Sequence, residues 1–127
     1  MIRPTQAVKN TFSSDAPVEG RVIDLVHLAR QTLGDPGLEQ EVLRIYADAS
    51  RCYCNAIKQA KTQDELRINL HSLKGASAGV GAFFVADAAR AAENELRETD
   101  AVCDETRADL AFAVEEVHGY ISALLKS

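Results

Sequence analysis

The feature that most constrains this chain is the recurrence of apolar residues at steps of three and four from about residue 22 to residue 125. That spacing puts apolar side chains on one face of an α-helix, whereas a half-buried strand would require alternation of apolar and polar residues. Long amphipathic helices joined by short connections must bury their apolar faces against each other. We therefore predict an all-α fold: an up-and-down four-helix bundle with a short additional N-terminal helix.

Turn residues separate the first two predicted helices. Residues 21–33, RVIDLVHLARQTL, predict a short helix that ends before Gly34. Asp35 is a suitable N-cap, and Pro36 stands at the first position of a long second helix, which we place up to about residue 60. The residues expected on the apolar faces of these two helices are Val22, Leu25, Val26, Leu28, Ala29, Leu38, Val42, Ile45, Tyr46, Ala49, Tyr53, Ala56 and Ile57.

Capping residues also delimit the three helices that follow. Thr62 and Glu65 have the spacing of a capping box, which predicts the start of the third helix, and Gly79 and Gly81 mark its far end. The fourth helix is expected over residues 83–98 and the last over residues 104–125. Residues 1–20 lack this periodicity. They are predicted to form a mobile N-terminal arm, which leaves residues 21–127 as the bundle domain.

Length and charge exclude several classes of function. A chain of 127 residues suffices for one hydrophobic core, so we expect a single domain. Its net charge is -5 and it has no long Lys/Arg run, which argues against nucleic acid or a membrane surface as a partner. It also lacks an apolar run typical of a signal peptide or membrane span, so we expect a cytoplasmic protein. The three cysteines form no Cys-x-x-Cys pair and indicate neither a disulfide framework nor a zinc site.

Residues 66–82, LRINLHSLKGASAGVGA, carry the chemistry of the chain. At about 100° per residue, the leucines of this segment point in one direction, and His71 points roughly 140° away from them. A neutral imidazole is a nucleophile that can accept a phosphoryl group. Lys74 follows one turn later and, with its side chain expected to be exposed, can neutralise phosphoryl oxygens. Gly75 costs about 1 kcal/mol in a helix relative to Ala, which indicates that bulk is excluded beside His71.

The run His71-Ser72-Leu73-Lys74-Gly75-Ala76-Ser77-Ala78, followed by Gly81-Ala82, resembles the signature H-x-L-K-G-x-[SA]-x-x-x-G-A of histidine-containing phosphotransfer (HPt) domains. The resemblance implies that His71 is phosphorylated on Nε2 and that Lys74 stabilises the phosphoryl group. It extends more loosely over about residues 22–125. The sequence departs from the common pattern at Gly79 and Val80, where an Asn and a Leu are frequent, and at Ala76, where Ser is frequent. We expect Arg67, Gly75 and Ala78, on the face of His71, to bind a partner. The resemblance implies the same role for Glu93 and Arg97, on the helix that follows Gly81-Ala82.

By this resemblance the chain is a carrier in a multistep phosphorelay. It would accept a phosphoryl group from the aspartate of a receiver domain, in a response regulator or hybrid histidine kinase, and pass it to another receiver. No nucleotide-binding loop is present, so we expect no ATP-dependent kinase activity. No cofactor is expected on this chain, with Mg²⁺ supplied by the receiver, and a monomer is expected.

Two alternatives remain at this level. A helical docking module could regulate a receiver or a kinase by binding through the same face, without carrying phosphate. Glu115 and His118 have the Glu-x-x-His spacing of di-iron bundles, but such sites need this motif twice, and only one copy is present. We therefore predict no metal site.

Overall fold

The computed structural model describes residues 22–126, which form helices and no strand. The helices are α1 (Leu25–Gln31), α2 (Pro36–Gln59), α3 (Gln63–Val80), α4 (Phe83–Thr99) and α5 (Asp104–Lys126). The predicted all-α class is confirmed. The arm predicted for residues 1–20 lies outside the described residues. Within residues 22–126, no helix combines the length and apolarity needed to cross a membrane.

The helix ends follow from local side-chain chemistry. The carboxylate of Asp35 accepts hydrogen bonds from the backbone N–H groups of Gly37 at 2.9 Å and Leu38 at 3.2 Å, which caps α2. Thr62 and Glu65 form the predicted capping box at the start of α3. These contacts satisfy backbone N–H groups that the first turn of a helix leaves without partners.

Of the two glycines expected to end α3, only Gly81 does so. The helix continues through Gly79 to Val80, and Gly81 adopts a left-handed conformation with φ of 90°. A Cβ atom added to Gly81 would lie 2.9 Å from the carbonyl oxygen of Asp24, so the turn excludes a side chain there on both counts. This turn leads α3 directly into α4.

The four long helices surround one core. α3 packs between α2 and α4, α5 packs against both α4 and α2, and α1 packs against α3. Fully buried leucine side chains on α3 anchor that helix, each contributing about 2 kcal/mol of hydrophobic stabilisation. The largest fully buried apolar residues are Ile23, Leu28, Leu70, Leu73, Val85, Leu110, Val114, Val117 and Ile121.

Three expected core positions lie on the surface instead. Val26, Leu38 and Ile45 have exposed fractions of 62%, 46% and 60%, so their assignment to apolar faces is wrong. α1 packs mainly against α3 and buries only Leu28, about 200° round the helix from Val26. Ile45 precedes the buried Tyr46 by one residue, and that step of about 100° turns it away from the neighbouring helices.

A buried polar contact fixes α2 against α3. The Tyr46 hydroxyl and Ser77 Oγ share a hydrogen bond at 2.6 Å inside the core. Burial raises the pKa of Tyr46 to about 12, and the hydrogen bond to Ser77 opposes that rise only in part. Ser77 lies on the same face of α3 as Leu70 and Leu73, as its position in the sequence predicts. The opposite face of α3, which carries His71, is therefore held toward solvent.

Candidate functional site

His71 stands in the middle of α3 with 73% of its side chain exposed. Its Nδ1 atom lies 3.2 Å from Oε2 of Glu93, which α4 supplies. Because an ionised carboxylate only accepts hydrogen bonds, this contact keeps a proton on Nδ1. The lone pair on Nε2 is then available for reaction.

Glu93 is the best-shielded group of the site, with only 9% of its side chain exposed. Its second oxygen, Oε1, is buried and lies 2.7 Å from Nζ of Lys74. The two groups form an ion pair, although the angles at this contact depart from those of a hydrogen bond. Burial raises the pKa of Glu93, but Lys74 and His71 more than offset it, so the pKa lies below the ordinary carboxyl value. Glu93 is therefore ionised at neutral pH.

Lys74 is not the exposed cation that the sequence indicates. Only 30% of its side chain is exposed, and its ammonium is engaged by Glu93. The physical reason is that a carboxylate shielded from water requires a counter-charge, and Lys74 lies on the neighbouring helix within reach. Glu93, which the resemblance implies is presented toward the site, lies beside His71 and joins it to Lys74.

Gly75 and Ala78 continue the face of His71 toward the end of α3. Gly75 is exposed and Ala78 is half-buried. A Cβ atom added to Gly75 would meet no other heavy atom within 4 Å. The packing of this chain therefore does not require glycine at that position, and the open space beside His71 faces outward.

Arg67 and Arg97 flank the site on the side of the α3 N-terminus. They line a surface groove that also includes Glu93. The Arg67 guanidinium pairs with Asp64 at 2.7 Å, and that of Arg97 donates to Asn94 Oδ1 at 2.9 Å. Each arginine is thus held within its own helix, one turn away from the pair formed by His71 and Glu93.

The site also includes an apolar residue that the sequence analysis missed. Ile68 precedes His71 by three residues, which places it about 60° round the same helix, and it is 59% exposed. Beyond Gly79, Phe83 is 40% exposed and packs edge-on against the ring of His27 at 5.2 Å between centroids. The helical periodicity that places His71 on the surface could have identified Ile68, because both positions lie far from the direction of the leucines.

Across residues 22–126, no three His, Cys, Asp or Glu side chains are arranged to hold a metal ion. Glu115, the acidic residue of the Glu-x-x-His pair, instead accepts hydrogen bonds from Arg51 Nε at 3.1 Å and Nη2 at 2.7 Å. This carboxylate serves as a link between α2 and α5.

Comparison with models of protein families matches residues 37–126 to the Hpt domain. The matched segment begins at the start of α2, ends with α5 and includes the cluster formed by His71, Lys74 and Glu93. No curated protein and no solved structure matches the chain. The family match extends over well more than half of the sequence, and the chain belongs to the Hpt family of histidine phosphotransfer domains that act in phosphorelays.

Proposed function

We propose that this protein carries a phosphoryl group on His71 between receiver domains of a multistep phosphorelay. The observation that supports this most directly is the exposed His71 ring, held at Nδ1 by a shielded carboxylate. A merely structural surface histidine has no need of a partner that fixes its tautomer. The family assignment supports the same reaction class.

In the proposed reaction, the Nε2 lone pair of His71 attacks the phosphorus of an aspartyl phosphate on the receiver. The N–P bond forms, the P–O bond to the aspartate breaks, and the free carboxylate leaves with the electron pair. The proton on Nδ1 stays in place, and the Glu93 carboxylate balances the positive charge that the phosphorylated ring acquires. The reverse step, onto a second receiver, passes the group on.

The neighbouring residues have separate roles in this proposal. Lys74 neutralises the phosphoryl oxygens, and Gly75 and Ala78 leave room for the receiver to approach along the line of attack. Arg67 and Arg97, at the edge of the groove beside Glu93, contact the receiver's surface. The receiver supplies the acceptor aspartate and Mg²⁺, so this chain acts as a stoichiometric carrier and not as an ATP-dependent kinase.

We further propose that the protein acts as a cytoplasmic monomer, with receivers and neither nucleic acid nor membranes as partners. The net charge of -5 supports this choice of partners. The closed ring of contacts among α2, α3, α4 and α5 supports an up-and-down bundle with α1 as the additional short helix.

The test is phosphotransfer from a purified phosphorylated receiver. The wild-type protein should acquire an acid-labile phosphoryl group, and His71→Gln should acquire none. His118→Gln is the matched control, because His118 is half-buried on α5, and it should be labelled like the wild type. Labelling of the His71→Gln protein would refute the assignment. A docking module, in contrast, would bind the receiver without being labelled and would keep its regulatory effect in His71→Ala.

A further inference from the structure

Lys74 has two partners available in the proposed reaction, and in the unphosphorylated protein it is already held by one of them. Its Nζ atom lies 2.7 Å from Oε1 of Glu93. The other oxygen of the same carboxylate contacts Nδ1 of His71 at 3.2 Å. One side chain thus binds both the reacting ring and the cation expected to neutralise the phosphoryl group.

The contact with Lys74 matters to Glu93 because Oε1 has no other donor. That atom is buried and accepts no well-aligned hydrogen bond from the described residues. A shielded carboxylate oxygen without a partner is costly, so Glu93 holds the ammonium firmly. A phosphoryl group on Nε2 would lie across the imidazole ring from Nδ1, on the side of the ring away from Glu93.

We infer that Glu93 competes with the phosphoryl group for Lys74, so that phosphorylation of His71 draws the ammonium off Oε1 while the N–H group at Nδ1 continues to donate to Oε2. The inference rests on the proposed function of His71. Glu93 is then a positioning residue with two opposed effects. It supports the reacting ring through Nδ1, and it withholds the cation that stabilises the product. A single lysine, on a flexible side chain, allows the exchange without movement of either helix.

The neighbouring cations do not substitute for Lys74. Arg67 pairs with Asp64 at 2.7 Å, and Arg97 donates to Asn94 Oδ1 at 2.9 Å, so each is held by a residue of its own helix. Lys74 is the cation whose ion pair involves the carboxylate that holds His71. A change at Glu93 should therefore act on the phosphoryl group largely through Lys74.

A double-mutant cycle tests this competition. The measured quantity is the equilibrium constant for phosphoryl transfer from a phosphorylated receiver to His71, in the wild type, Glu93→Gln, Lys74→Met and the double variant. In the presence of Lys74, Glu93→Gln weakens the support of Nδ1 but frees the ammonium. In the Lys74→Met background it only weakens that support. The ratio of the equilibrium constant in Glu93→Gln to that in its parent should therefore be about 3- to 10-fold larger when Lys74 is present than in the Lys74→Met background. A coupling of this size is typical of residues in contact.

An equal effect of Glu93→Gln in both backgrounds would overturn the inference while leaving His71 as the carrier. A wild-type protein that is not labelled on His71 at all would overturn the proposed function and this inference together. Lys74→Gln provides a second neutral variant if Lys74→Met does not fold. Thermal unfolding of each protein identifies the variants that are folded at the assay temperature.

Discussion

Replacing Gly75 should separate the stability of the bundle from its ability to transfer phosphate. Gly75 lies within α3, and a Cβ atom there would meet no heavy atom within 4 Å. Alanine is favoured over glycine by about 1 kcal/mol within a helix. Gly75→Ala should therefore raise the free energy of unfolding by about 1 kcal/mol, which corresponds to a rise in Tm of about 4 °C for a domain of this size. Gly75→Leu should keep most of that gain, because Gly75 is exposed and leucine also favours a helix, but it should block the approach of a receiver.

The assay pairs thermal unfolding with the rate of transfer from a phosphorylated receiver. Gly119→Ala is the matched control, because Gly119 also lies within a helix, α5, and has open space where its Cβ would be. It should raise Tm by a similar amount without changing the transfer rate. The reasoning is refuted if Gly75→Ala lowers Tm, or if Gly75→Leu transfers phosphate at the wild-type rate.

Three other results are expected from the same structure. Tyr46→Phe leaves the Ser77 hydroxyl buried without its 2.6 Å partner and should lower the free energy of unfolding in urea by about 1–2 kcal/mol, whereas Tyr53→Phe should cost much less. Ile68→Ser should weaken receiver binding by about tenfold in a titration, as expected for an apolar interface contact, while Ile45→Ser, at an equally exposed position on α2, should not; equal losses would count against a docking role for Ile68. Because the folded state holds the pKa of Glu93 below its ordinary value of 4.5, the group's contribution to stability is present above that value and is lost as pH falls through the lower folded pKa. Glu93→Gln should therefore flatten the pH dependence of urea unfolding below about pH 4.5, and an unchanged dependence would contradict that assignment.

The sequence predicts correctly the features of the fold, such as helix ends, that depend on interactions between residues a few positions apart. Asp35 caps α2 through N–H groups two and three residues away, and the Thr62 and Glu65 pair closes within a single turn. Gly81 ends α3 because the turn needs a positive φ. Each of these helix boundaries depends on residues that are close together in the sequence, so the sequence alone is sufficient to predict it.

The errors arise where the answer depends on which helices are neighbours. Ile45 and Val26 fit an apolar periodicity, yet no long helix covers them. Lys74 points away from the leucines of α3, but a carboxylate from α4 draws it into a partly shielded pair. Periodicity within one helix gives the direction of a side chain and not what lies in that direction.

The position of Glu93 follows from the register between α3 and α4, and that register is set by the short turn at Gly81. Gln63, at the start of α3, donates to the carbonyl of Asp100, at the end of α4, at 3.0 Å. Glu93 meets His71 and Lys74 further along the same pair of helices. Two helices joined by a minimal turn advance equally, about 1.5 Å per residue, so residues at equal distance from the turn lie opposite each other. A residue inserted beside Ala82 and taken up into the first turn of α4 should rotate Glu93 by about 100° away from His71, and it should turn the buried Val85 and Ala89 away from the core by the same angle. The contacts of Glu93 with His71 and Lys74 are thus tied to the length of a turn ten residues away from the histidine.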